Sequence, residues 1–67
     1  MGSRKFVEIR ENLGLTQKQI ADSIGTTVQT VSNWETGSTT PRLTFTQTYQ
    51  LTKVLKKDLK ELCKLFE

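Results

Sequence analysis

Apolar residues recur at three- and four-residue spacing in five stretches of this chain, and glycines, hydroxyl residues and one proline separate them. That period predicts helices throughout, an all-α chain. Phe6, Ile9 and Leu13, with Val7 alongside, share one face of a helix expected over residues 4–13, capped by Ser3 and ended at Gly14. Thr16 and Gln19 stand at capping-box spacing, so a second helix starts at Gln17, buries Ile20, Ala21 and Ile24, and closes at Gly25. Thr27 caps a third helix over residues 28–36, ended by Gly37, with Val31 and Trp34 inward. Thr44 with Gln47 opens a fourth helix, to about Leu55, whose inner side is Leu51, Val54 and Leu55 with Thr48 and Thr52. Asp58 with Glu61 repeats the capping-box spacing. Leu59, Leu62, Cys63 and Phe66 then make the buried stripe of a fifth helix, with Leu65 off it. Phe45 and Tyr49 lie away from the Leu51 face and are expected to pack locally on the preceding loop, the alternative being that they cover a partner subunit.

The second and third helices are joined so tightly that they must cross at close range, and one contact position has to be small. Ala21 meets that demand. At about 100° per residue, Val28, Gln29, Ser32 and Asn33 fall opposite Val31 and Trp34. This outer row is short, uncharged and, apart from Val28, polar.

The string LTQKQIADSIGTTVQTVSNWETGSTTPRL resembles the helix-turn-helix of the lambdoid phage repressor and Cro family, the XRE-type regulators. Gln17, Ala21, Gly25, Val31 and the ending from Glu35 to Gly37 carry the likeness, which covers about half the chain. It implies a compact five-helix, lambda-repressor-like domain over residues 1–67, in which the second helix braces and the third reads DNA. It also implies that Arg10 pairs with Glu35, closing the recognition helix, and reaches the DNA backbone. The loop Ser38, Thr39, Thr40, Pro41 and Arg42 would run along the phosphates.

For base reading the candidates are therefore Val28, Gln29, Ser32 and Asn33. An amide can pair with adenine, and a serine hydroxyl suits either a base edge or a phosphate. Several phage repressors carry a glutamine where this chain has Val28, braced by the glutamine at the start of the preceding helix; a valine offers a thymine methyl an apolar contact instead. Phosphate candidates are Gln17 and Thr27 at helix N-termini, with Thr30, Ser38, Thr39, Thr40, Arg42 and Arg10. Ala21, Gly25, Val31, Trp34 and Glu35 hold the motif together.

Composition narrows the alternatives. Sixty-seven residues with 34% hydrophobic content build only a small core. A net charge of +3 suits a polyanionic partner, although the first 42 residues are close to neutral, so attraction depends on placement. With no histidine, one cysteine, and neither clustered carboxylates nor a glycine-rich phosphate loop, the chain carries no acid-base or nucleophilic machinery and no metal or cofactor set. Enzymatic function is not expected. No apolar run approaches membrane-spanning length, and a reducing cytoplasm, close to the nucleoid, fits the lone Cys63. Expected partners are double-stranded DNA and a second copy of the chain, with no small-molecule ligand implied. Two surfaces are open to the second copy, the segment around Leu43 or the last helix with Leu65 and Phe66. The competing reading is a protein-binding module of antitoxin or adaptor type on the same fold.

Overall fold

The computed structural model describes residues 3–66; Met1, Gly2 and Glu67, the ends of the expected 1–67 unit, lie outside them. Among the described residues the backbone forms five helices and no strand: α1 (Arg4–Asn12), α2 (Gln17–Ile24), α3 (Val28–Thr36), α4 (Phe45–Leu55) and α5 (Leu59–Leu65). Each begins at a side chain that relieves an unpaired N–H of the first turn. Ser3, Thr16, Thr27, Thr44 and Asp58 accept from the backbone N–H three residues on. The box is reciprocal at Thr16 with Gln19 and at Thr44 with Gln47. At Asp58 only half of it forms, because the Glu61 carboxylate turns to Lys57 at 3.7 Å.

α1 stops one residue short of its expected end, where the Leu13 N–H already bonds the Ile9 and Glu11 carbonyls. Gly25 ends α2 at φ +72°, and a Cβ there would meet nothing within 4 Å. Backbone handedness, not crowding, therefore requires glycine at this turn.

The core draws on all five helices. Phe6, Ile20, Val31, Leu51 and Leu55 are fully buried; Ala21, Ile24, Trp34, Leu62 and Leu65 surround them. α2 lies against α3 and α4, while α1 meets α3 and α4 meets α5. Three rings close one end: Phe66 stands 5.5 Å from Phe6 and 6.3 Å from Trp34, and Phe6 stands 6.3 Å from Trp34. Such aromatic pairs add to what area burial alone supplies.

Two expectations need correction. The buried arc of α5 is centred on Leu62, with Leu65 and Phe66 on either side, while Leu59 is 58% exposed and Cys63 faces solvent. The two apolar stripes of this short helix share Leu62 and Phe66, and it is Leu65, 7% exposed in the core, that takes the place expected for Leu59 and Cys63. Phe45 and Tyr49 do not pack on the preceding loop; they are 97% and 60% exposed. Leu43 from that loop packs against the core instead. Phe45, about 120° around α4 from Leu51, has nothing to cover it. On the inner side Leu51 and Leu55 are buried, and Thr48, Thr52 and Val54 are half-buried, as expected.

Candidate nucleic-acid interface

The third helix is held from behind by its own carboxylate. Arg10 donates from Nε to Glu35 Oε2 at 2.7 Å and from a terminal nitrogen to Oε1 at 3.2 Å, and its other terminal nitrogen reaches the Leu15 carbonyl at 2.9 Å. Gln17 Nε2 also donates to Glu35 Oε1, at 2.9 Å. With 12% and 8% of the Arg10 and Glu35 side chains exposed, this joins α1, the turn after it and the start of α2 to α3 through one largely dry contact. The Arg10 and Glu35 pair follows the sequence expectation. Gln17 as a third member goes beyond it: the sequence suggests a phosphate contact for this residue, and in the structure its amide donates to Glu35. The signal available was Val28, which leaves that amide no partner at the start of α3 and makes the nearby carboxylate the remaining acceptor. Arg10, also a phosphate candidate, has three donors committed inside the protein.

On the opposite side of α3, Val28 is 42% exposed, Gln29 is exposed, and Ser32 and Asn33 are half-buried. Val31 and Trp34 occupy the inner side, and the outer row faces away from them, exposed at Val28 and Gln29 and partly exposed at Ser32 and Asn33. Within that row Gln29 Nε2 donates to Asn33 Oδ1 at 2.9 Å.

The helix N-terminus is capped by Thr27, whose hydroxyl accepts from the Thr30 N–H and lies 2.9 Å from the Thr30 hydroxyl. At the other end the Asn33 carbonyl accepts from the N–H groups of Gly37 and Ser38, at 3.0 and 2.9 Å, which fixes where the loop leaves. Thr30, Ser38, Thr39, Thr40 and Arg42 then line a single cleft beside Trp34. Five of the phosphate candidates are thus brought together, whereas Gln17, Thr27 and Arg10 lie elsewhere. Thr26 and Gln47 complete the cleft. Sequence reasoning misses Thr26 and Gln47, because the capping box already accounts for Gln47; its Nε2 also closes the end of α2 by donating to the Ile24 carbonyl at 3.1 Å.

Ala21, 1% exposed, is buried on α2, the helix that packs against both α3 and α4. Among the described residues no cluster of potential metal ligands occurs, and no helix is long and apolar enough to cross a membrane.

A brace of three side chains behind α3, an uncovered row in front and a hydroxyl-lined cleft at its end are the parts of a helix-turn-helix. Residues 7–62, most of the chain, match the family described as Helix-turn-helix. No curated protein and no solved structure matches the chain at a significant level. By the extent of that match the chain belongs to the XRE-type, lambda-repressor-like helix-turn-helix family, a family of DNA-binding regulators and not of enzymes.

Proposed function

We propose that this protein is a sequence-specific regulator of transcription, of the repressor type, which lays α3 in the major groove of duplex DNA and binds a palindromic site as a homodimer. One observation carries the reading: Val28, Gln29, Ser32 and Asn33 stand uncovered on the same helix whose other face is fixed by Val31, Trp34 and the Glu35 brace. A helix held this firmly presents its outer row in a fixed pose, and the major groove shows each base pair as a distinct set of donors, acceptors and methyl groups. Gln29, Ser32 and Asn33 supply polar contacts to base edges, and Val28 supplies apolar contact to a thymine methyl. The cleft hydroxyls and Arg42, with Thr27 and the first turn of α2 at Gln17, hold the phosphates on either side and set the register. Arg10 acts from behind, through Glu35.

One such helix spans only a few base pairs. A second copy related by a two-fold axis places another recognition helix about 34 Å away and doubles the site. Two surfaces are open to that copy, the segment around Leu43 and the last helix with Leu65 and Phe66.

Selection from random duplex DNA tests the reading. The expected result is an enriched palindrome with half-site centres about 10 base pairs apart. Affinity for it should fall about a thousandfold between roughly 50 and 200 mM salt if the two subunits neutralise about six phosphates. The exposed Phe45, Tyr49 and Leu59 favour one other reading, a module that grips another polypeptide. Salt-insensitive binding to a protein, with no duplex affinity, would establish that alternative in place of the first.

A further inference from the structure

Gln29 and Asn33 lie one helical turn apart on α3, and the bond from Gln29 Nε2 to Asn33 Oδ1 divides their capacities unequally. A free amide carries a donor and an acceptor side by side, the pattern that matches the N6 amino group and N7 of adenine. Here one lone pair of the Asn33 oxygen is engaged by Gln29 and one remains, while its amino group keeps both hydrogens for a partner. Hydrogen bonds in series polarise one another, so that amino group becomes the stronger donor. Gln29 keeps both lone pairs of its oxygen and one hydrogen.

We propose that the two side chains read DNA as one interlocked unit, in which the Asn33 oxygen is weakened as an acceptor by the bond from Gln29 and its amino group leads the base contact. Asn33 therefore selects guanine, whose N7 and O6 both accept, in place of the adenine that a free asparagine selects. Gln29 is then a positioning residue for Asn33 as well as a contact in its own right. The inference rests on the proposed insertion of α3 into the major groove.

Three proteins taken through the same selection from random duplex test it: the unaltered chain, Asn33→Ala and Gln29→Met. Asn33→Ala flattens one base step and so identifies the step that Asn33 reads. Methionine has the length of glutamine and no donor, and position 29 is exposed, so the helix content seen by circular dichroism should be unchanged. Gln29→Ser, too short to reach Asn33, serves equally if the methionine variant does not fold. At the identified step the unaltered chain should select guanine and the position-29 variant adenine, each by about tenfold. The same base from both proteins, or adenine from the unaltered chain, overturns the interlock and leaves DNA reading intact. If the folded, unaltered chain enriches no sequence at all, DNA reading itself fails, and the interlock with it.

Discussion

Glu35 receives hydrogen bonds from Arg10 and Gln17, and the Arg10 and Glu35 side chains are nearly dry. Glu35→Ala therefore strands the Arg10 charge in a site that solvent barely reaches, at a cost of about 3 kcal/mol. Gln17→Ala removes one bond to an ionised acceptor and should cost about 1.5 kcal/mol. Trp34 is the sole tryptophan and is 3% exposed, so urea titration followed by its fluorescence reads both changes. Equal, small effects from the two variants would contradict the brace. On the outer side, Val28→Gln restores an amide at a position where the native side chain offers only methyl groups. The preferred base there should move from thymine to adenine, and an unchanged preference in selected sites would remove Val28 from the reading row.

Each helix is a separate local solution, and the joint between α2 and α3 is the one on which DNA reading depends. Gly25 sits at φ +72° with open space around its Cα hydrogens, so Gly25→Ala introduces no clash and isolates the backbone term. The expected cost is about 1 kcal/mol, with a lowered urea midpoint and an unchanged slope. A much larger loss would mean that the turn contributes packing that the open surroundings of Gly25 do not account for. Capping is equally local. The Thr16 hydroxyl satisfies one N–H of α2 at 3.0 Å, and Thr16→Ala should cost about 1 kcal/mol.

For the whole molecule the margin is narrow. A chain of this length carries roughly 3 to 10 kcal/mol of stability at ordinary values per residue. Phe6 is fully buried, lies on α1, and meets the rings of α3 and of the residue that follows α5. Phe6→Ala should cost about 4 kcal/mol, most of that margin, and leave a large unfolded fraction at room temperature. Circular dichroism would show the loss as reduced helicity with an early, broad melt. DNA binding should fall with it, and a duplex carrying the selected site should restore part of the fold by mass action.

The five helices, their caps and the inner and outer sides of α3 were legible in the chain, because capping spacing and a period near 3.6 are local rules that act within one or two turns. Gly25 and Gly37 were legible for the same reason, each at a helix end that needs a left-handed residue. Local rules could not choose between the two apolar stripes of α5, nor place Phe45 in solvent, since both depend on which neighbours arrive from elsewhere. Gln17 shows the same limit in polar form: its position at a helix start was plain, but its partner Glu35 is 18 residues away along the chain. Sequence determined where each helix begins, where it ends to within a residue and, α5 apart, which side is apolar. Only the tertiary structure decided which side chains share a carboxylate, a ring cluster or a cleft, because those contacts exist once separate helices have met.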